Sequence, residues 1–315
     1  MRDKDKLEQR MKAAAGEITN LYKTQSCLHP IHWNDIPNEH KPMIMNGHMF
    51  FKDKYLADGQ YDQCKARIVM NGNEQDPMTI EATRSPTVNP ISLMCTLAKS
   101  ANSKDYTNDA YDVVGAFVCT EMPKEKVIIM RIRGKLAELF VKIFPELESY
   151  LDCRGNMYFY LRRFLYGLAE AARGFNAKLH GVLQSMGYKR SNSDECLYLK
   201  RLDDGRLHHL CVHVDDIHSA APGIKAREAF ESEFGKHFKF KKQYNDVSYL
   251  GLMIRKCQRT GEITVDQRGY IEELMLKYDV NEKAVRVPVR AHLMEKEEDP
   301  EYLQNRREYI SMVMA

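Results

Sequence analysis

An apolar run that ends in two adjacent acids limits the local structure of this chain more than any other feature. Residues 210–214 (LCVHV) are almost uniformly apolar and β-prone, so they predict a buried strand. Asp215 and Asp216 follow at once, and ionised carboxylates are costly to bury without a partner. We therefore expect both at the tip of a hairpin supported by buried strands. A second acidic pair, at 203–204, precedes a glycine between two arginines and predicts an ordinary solvated turn.

A lone acid interrupts a second β-prone run. Asp112 lies within residues 111–117 (YDVVGAF), where a strand would otherwise be uniformly apolar. A divalent cation would remove the cost of an unpaired carboxylate there, because Mg²⁺ prefers hard oxygen ligands. Three aspartates from two strands could hold two such ions, the arrangement used in two-metal catalysis. Taken alone, Asp112 also fits a salt-bridged structural acid, and its combination with residues 215–216 favours the metal site.

Strands and helices intermingle along the chain without a regular βαβ rhythm. Helices are predicted to about residue 22, at 91–99, 135–150, 168–186, 224–234 and 268–278. Strands are predicted at 49–55, 64–70, 127–132, 196–201, 207–214, 248–256 and 262–266, with an irregular connector at 24–47 and a hairpin around 154–156. This order favours an α+β fold over a doubly wound sheet.

Five short segments follow one another in the order of a known set of motifs. Residues 112–117 (DVVGAF) place an aromatic five residues after an aspartate, and residues 214–216 (VDD) end in the acidic pair. The other three are residues 65–69 (KARIV), 165–173 (LYGLAEAAR) and 249–252 (YLGL). In this order they resemble the motifs of reverse transcriptases from copia-type retroelements, and they span about residues 45–290.

The resemblance implies a right-hand polymerase with fingers, palm and thumb, in which an antiparallel palm sheet is backed by helices. The expected divisions are an N-terminal helix and connector at 1–48, fingers at 49–100, a palm at 101–265 with an insertion at 131–154, and a truncated thumb or connection at 266–315. It also implies that Asp112, Asp215 and Asp216 are the catalytic residues and the ligands of two Mg²⁺ ions, which Mn²⁺ could replace.

The nucleotide site implied by the resemblance takes residues from three of the motifs. Arg67, with Lys65 as a second candidate, would neutralise the triphosphate, because a guanidinium can bind two phosphate oxygens at once. Phe117 would lie under the sugar and select dNTP over NTP, although a core aromatic also fits. Tyr166 and Gly167 would line the floor of the site, where glycine allows close approach and a simple turn is an equal explanation.

The primer contacts implied by the resemblance come from two hairpins. Where many relatives carry tyrosine before the Val-Asp-Asp segment, this chain has His213. On a strand, His213 would share a face with Asp215 and lie near the primer end. The resemblance assigns further primer contacts to Tyr249, Leu250 and Gly251.

Two local patterns allow more than one interpretation. His213, Asp216 and His218 could instead be ligands of a transition metal, but that reading leaves Asp112 unexplained. The alternation of basic and aromatic residues at 236–242 fits a strand that touches a phosphate backbone, and a solvated strand edge fits it nearly as well.

The expected function is RNA-directed DNA polymerase of a copia-type retroelement. A primed RNA or DNA template and dNTPs would be its substrates, and other segments of a longer polyprotein (integrase, RNase H) its partners. A catalytically inert, nucleic-acid-binding descendant is the first alternative. A template-independent nucleotidyltransferase, such as a nucleotide cyclase, is the second, and Phe117 and residues 65–69 argue against it.

Composition adds only broad limits. The net charge of +3 neither requires nor excludes a nucleic-acid partner. The eight cysteines are scattered without a Cys-x-x-Cys pair, which favours reduced thiols over a disulfide framework or a zinc site. No segment approaches the ~18 apolar residues of a membrane span. We therefore expect a cytoplasmic protein, within a virus-like particle or free, with nuclear access left open. The helical pattern continuing to Ala315 favours one segment of a longer polyprotein or a truncated copy.

Overall fold

Fourteen strands and six α-helices form the computed structural model, which describes residues 3–55, 61–75, 80 and 83–278. The helices are α1 (Asp3–Thr19), α2 (Pro90–Ala101), α3 (Lys135–Ile143), α4 (Ala171–Ser185), α5 (Ile224–Phe234) and α6 (Arg268–Lys277). The strands are β1 (Leu28–Ile31), β2 (Met45–Tyr55), β3 (Tyr61–Met70), β4 (Asp109–Val113), β5 (Ile129–Ile132), β6 (Met157–Leu161), β7 (Lys189–Arg190), β8 (Leu197–Arg201), β9 (Leu207–His213), β10 (Asp216–Ala220), β11 (Phe240–Tyr244), β12 (Asp246–Tyr249), β13 (Leu252–Lys256) and β14 (Ile263–Asp266). The predicted α+β class is confirmed.

A six-stranded sheet occupies the centre of the chain, in the order β11-β4-β10-β9-β8-β7, and every pairing in it is antiparallel. Helices α2, α4 and α5 cover one face with buried apolar side chains: Leu93, Leu97, Phe175, Leu179, Leu183, Phe230 and Phe234. On β4, Tyr111 and Val113 are buried in this core. Because side chains alternate along a strand, Asp112 lies on the opposite face, where it is exposed.

A five-stranded sheet contains strands from segments that were predicted to belong to different subdomains. Its order is β1-β6-β5-β2-β3, and the pairing of β2 with β5 is parallel. Residues 24–47, predicted as an irregular connector, contain β1 and the start of β2. Pro30 is tolerated because β1 is an edge strand, paired with β6 alone. The predicted boundaries at 48 and 131 therefore cut through one sheet, because its pairings join strands that are distant in sequence.

Two further local predictions are wrong. No hairpin forms around residues 154–156: the Asp152 carboxylate accepts hydrogen bonds from the Arg154 and Asn156 amides, and β6 pairs with β5 and β1 instead. The strand predicted at 248–256 is split into β12 and β13, because Leu250 and Gly251 both take positive φ, of 53° and 76°, which makes a tight turn.

Some predictions fall outside the described residues. These are the turn at 58–59, most of the thumb range 266–315 and the helical pattern near the end of the chain. In the part that the structure describes, no helix has both the length and the apolar character needed to cross a lipid bilayer.

His218 makes the stability of the six-stranded sheet depend on pH. Its side chain is fully buried, and burial lowers its pKa from 6.5 to about 4. The unfolded chain therefore takes up a proton first as pH falls below 6.5, and stability is lost between pH 6.5 and 4. From pH 7 to pH 5 the wild type should lose about 2 kcal/mol more unfolding free energy than His218→Gln, which keeps a donor toward Asn108.

Urea denaturation at several pH values measures this difference. His29→Asn, at an exposed position of β1, is the control and should follow the wild type. Parallel pH dependence of the wild type and His218→Gln would show that His218 does not remain neutral in the folded protein.

Candidate active site

A row of four polar side chains crosses the face of the six-stranded sheet that carries Asp112. The strand register places Lys241 opposite Asp112, Asp112 opposite Asp216, and Asp216 opposite His213. Residues that pair directly across antiparallel strands point to the same face. Residues from β11, β4, β10 and β9 thus converge, although 129 positions separate the first from the last along the chain.

The turn between β9 and β10 consists of Val214 and Asp215. Val214 has φ of 55°, a conformation that is unfavourable for a β-branched residue by about 1–2 kcal/mol. The Val113 amide donates a hydrogen bond of 3.0 Å to the Asp215 carbonyl, which ties the turn to β4. The predicted hairpin tip is confirmed. One detail of the prediction is wrong: Asp215 lies in the turn and not on the strand, and the residue that pairs with His213 is Asp216.

The carboxylates of Asp215 and Asp216 are held in an environment that disfavours their negative charge. Burial raises the pKa of Asp216 to about 6, and the charges of Asp215 and Asp112 add to the increase. Burial also raises the pKa of Asp215, with a further contribution from Asp112, while Arg67 and His213 lower it. Like charges gathered in a half-buried site create a demand for a cation.

The aspartates fit a divalent cation in their chemistry and their register. Carboxylate oxygens are the hard donors that Mg²⁺ and Mn²⁺ prefer. Among the described residues, however, no three side chains of metal-binding types are already gathered into one ligand set. Asp112, Asp215 and Asp216 are therefore neighbours whose carboxylates would have to draw closer together to hold one ion.

A stack of three side chains faces the carboxylates. The Arg67 guanidinium lies 4.7 Å from the centroid of the Tyr166 ring, and Tyr166 meets Phe117 edge to face at 5.0 Å. Burial raises the pKa of Tyr166, Arg67 lowers it, and Asp215 and Asp112 raise it further, which places the stack within electrostatic reach of the acids. Residues from three separate motifs are thus brought together.

Gly167 lies where the residues of this stack approach the end of β3 most closely. The Met70 amide donates a hydrogen bond of 2.7 Å to the Tyr166 carbonyl. Gly167 has φ of 89°, and a Cβ atom there would lie 2.1 Å from the Met70 carbonyl oxygen. A Cβ on Gly72 would in turn lie 2.0 Å from the Gly167 carbonyl oxygen. Close backbone approach, and not the turn alone, explains the glycine at 167.

Two lysines, Lys65 and Lys241, add positive charge near Asp112. Burial lowers the pKa of Lys65, and the charges of Arg67, Lys54 and Lys241 lower it further, while Asp112 raises it. Lys241 belongs to the basic stretch 236–242, but its position opposite Asp112 was not predicted. Only the register of β11 against β4 identifies it, and local pattern contains no signal for that register.

Comparison with known proteins agrees with this geometry. A model of the family described as reverse transcriptase (RNA-dependent DNA polymerase) matches residues 31–291, which is most of the chain. The chain belongs to this family. Its resemblance to the reverse-transcriptase region of copia-type retroelements is confirmed.

Three relatives show how the similarity is distributed. The chain is 26% identical over 289 residues to the retrovirus-related Pol polyprotein from transposon TNT 1-94 of Nicotiana tabacum, covering 90% of this chain and 20% of the relative. It is 25% identical over 262 residues to the Pol polyprotein from transposon RE1 of Arabidopsis thaliana, covering 82% of this chain and 16% of the relative. It is 28% identical over 117 residues to a putative transposon Ty5-1 protein of Saccharomyces cerevisiae, covering 37% of each. The chain thus spans about a fifth of the tobacco polyprotein and less of the RE1 polyprotein.

In this reverse-transcriptase chain, Tyr249 has a different place from the one predicted. Its ring is 2% exposed, and its hydroxyl donates a hydrogen bond of 2.9 Å to the Cys211 carbonyl on β9. The side chain therefore anchors the β12–β13 hairpin to the six-stranded sheet. Leu250 and Gly251 form the exposed tip and remain the parts of this hairpin that a primer could reach.

The alternative transition-metal site is wrong. His218 is fully buried, and its Nε2 atom is 2.9 Å from Asn108 Oδ1. It cannot join His213 and Asp216 around one ion, and no such ligand set exists in the described part of the chain.

Proposed function

We propose that this chain is an RNA-directed DNA polymerase of a copia-type retroelement. It would extend a primed RNA or DNA template by attack of the primer 3′-hydroxyl on the α-phosphate of a dNTP, with release of pyrophosphate. The observation that supports this most directly is the convergence of three aspartates on one sheet with the stack of Arg67, Tyr166 and Phe117 opposite them. Phosphoryl transfer depends mainly on such positioning and on charge stabilisation.

The proposed subdomains follow from the sheets. The six-stranded sheet with α2, α4 and α5 would be the palm, the β2–β3 hairpin the core of the fingers, and the region from α6 onward the thumb or connection. The nucleotide would bind between β3 and the palm, where Arg67 and Lys65 face the aspartates. The primer end would approach along His213 and the tip of the β12–β13 hairpin at Leu250 and Gly251.

The catalytic acids would hold the divalent ions. Asp112 and Asp215 would be the principal ligands of two Mg²⁺ or Mn²⁺ ions, and Asp216 a supporting acid. When bound, these ions supply positive charge to the attacking and leaving oxygens. Arg67 would bind and orient the triphosphate through paired hydrogen bonds from its guanidinium. Tyr166 and Gly167 would form the floor under the new base pair.

Phe117 is proposed to exclude the 2′-hydroxyl of a ribonucleotide. The Phe117→Val variant should lower the preference for dTTP over UTP by about tenfold or more, because the smaller side chain leaves room for the hydroxyl group. Phe117 packs against both main cores, so valine is preferred to alanine to limit the loss of packing. The ratio of kcat/KM for the two nucleotides measures the effect, and Ile91→Val, at an exposed site on α2, is the control. An unchanged ratio would make Phe117 a core aromatic only.

Primer extension on poly(rA)/oligo(dT) with labelled dTTP and Mg²⁺ or Mn²⁺ tests the proposed function. Metal-dependent extension supports it. A folded wild type that binds the primed template without extending it would support the inert, nucleic-acid-binding alternative. Conversion of nucleotides without a template would support the nucleotide cyclase alternative.

The length of the relatives bears on the proposed partners of this chain. The relatives named as Pol polyproteins are several times longer than this chain, so integrase and RNase H segments are proposed as neighbours in one polyprotein. A cytoplasmic site, within a virus-like particle, stays a prediction.

A further inference from the structure

Helix α1 lies outside the range that matches the family model, yet it packs on the strand that carries the proposed triphosphate ligands. The family model begins at residue 31, whereas α1 ends at Thr19. Ala14 and Ile18 of α1 are buried, and Ile18 belongs to the same apolar core as Ile68 of β3.

Two further contacts tie α1 to the β2–β3 hairpin. Lys6 Nζ lies 3.2 Å from Asp53 Oδ2 on β2. The Arg10 guanidinium lies 5.8 Å from the centroid of the Phe51 ring on the same strand. Together with the buried contacts these interactions hold α1 along the hairpin, because each connects a different turn of the helix to it.

The third polar contact reaches β3 itself. β3 is the last strand of its sheet, so its outward-facing amides need partners from outside the sheet. The Ile68 amide donates a hydrogen bond of 3.2 Å to Glu17 Oε1, and the Met70 amide donates one of 2.7 Å to the Tyr166 carbonyl. Glu17 therefore anchors the edge of β3 one residue after Arg67.

The charge of Glu17 acts on the same two basic residues. Burial raises the pKa of Glu17, and the hydrogen bond from Ile68 and the charges of Lys65 and Arg67 lower it. Lys65 and Arg67 themselves are exposed on β3. A half-buried carboxylate behind them reduces the positive potential that an incoming polyphosphate meets.

We propose that Glu17 is a positioning residue of the nucleotide site, which makes α1 part of that site. Its carboxylate fixes the backbone of β3 from which Arg67 reaches Tyr166. Its charge offsets those of Lys65 and Arg67, and thereby weakens the binding of the triphosphate. This inference rests on the proposed polymerase function.

Two substitutions separate the two roles. Glu17→Gln keeps an acceptor for the Ile68 amide and removes the charge. The KM for dTTP should therefore fall about two- to fivefold, and the decrease should be larger at low salt than at high salt. The kcat should change less than about twofold. Glu17→Ala also removes the anchor. Its KM should be at least about threefold higher than that of Glu17→Gln, and the Ile68 amide should exchange with solvent faster.

Glu8→Gln, at an exposed position of α1, is the matched control and should leave KM unchanged. The proposal is overturned if Glu17→Gln leaves KM unchanged or raises it, if Glu8→Gln lowers it equally, or if Ile68 exchange is the same in Glu17→Ala and the wild type. Absence of extension by the wild type would overturn the proposed function instead. In that case hydrogen exchange at Ile68 still tests the anchor by itself.

Discussion

Replacing Asp215 with asparagine is expected to reduce metal-dependent primer extension by about 10³-fold or more while the protein stays folded. Asparagine has nearly the same shape, but its amide cannot supply the negative charge that a divalent cation requires. The Asp215 carbonyl, which holds the turn against β4 through the Val113 amide, is unaffected by the substitution. Burial raises the pKa of the Asp215 carboxyl, so removal of that charge should leave stability at neutral pH unchanged or increase it.

Single-turnover extension with Mg²⁺ measures the loss of activity, and thermal unfolding of the same samples measures the stability. Asp203→Asn is the control, because Asp203 also precedes a second aspartate but lies in an exposed turn. It should match the wild type in extension. Extension by Asp215→Asn at a rate near that of the wild type would remove Asp215 from the proposed metal ligands. If Asp215→Asn loses extension activity because it unfolds, the prediction that the variant stays folded is wrong.

Replacing Gly167 with alanine is expected to lower the unfolding free energy by about 2–5 kcal/mol. A positive φ costs alanine about 1–2 kcal/mol, and forcing a new methyl group into a packed site costs about 1–3 kcal/mol. The methyl group would lie 2.1 Å from the Met70 carbonyl oxygen, so β3 would have to move away from residues 166 and 167. Because Arg67 reaches Tyr166 from β3, extension activity should fall as well.

Urea denaturation of Gly167→Ala, Gly181→Ala and the wild type measures the change in unfolding free energy. Gly181 lies within α4, is exposed, and would have no atom within 4 Å of a new Cβ. Alanine there should increase stability by about 0.5–1 kcal/mol, because glycine is a poor helix former. Equal stability of the two variants would show that β3 does not approach Gly167 as closely as described.

Several elements could be predicted because their signals are local. Helix α5 begins and ends at the predicted residues, 224 and 234, since an apolar periodicity there is bounded by Gly223 and Gly235. The turn before Asp216 was predicted from an apolar run that ends in charge. Acids that interrupt β-prone segments drew attention to Asp112, Asp215 and Asp216, and the resemblance to reverse transcriptases implied their role as candidate ligands.

The local signals were insufficient where a partner strand decides the outcome. Residues 28–31 form β1 because β6 supplies hydrogen-bond partners, although Pro30 argues against a strand. Tyr249 was assigned to the primer from its motif, whereas packing against β9 buries it.

The sequence by itself determined the α+β class, the order of the motifs and the choice of three aspartates as candidate ligands, because periodicity, turn residues, isolated charges and short motifs extend over a few neighbouring positions. Only the tertiary structure decided that Lys241 lies opposite Asp112, that Glu17 anchors the edge of β3, and that Gly167 touches Met70. These are matters of register and close approach between segments distant in the chain. Their free energy depends on the assembled sheets, and no local pattern encodes it.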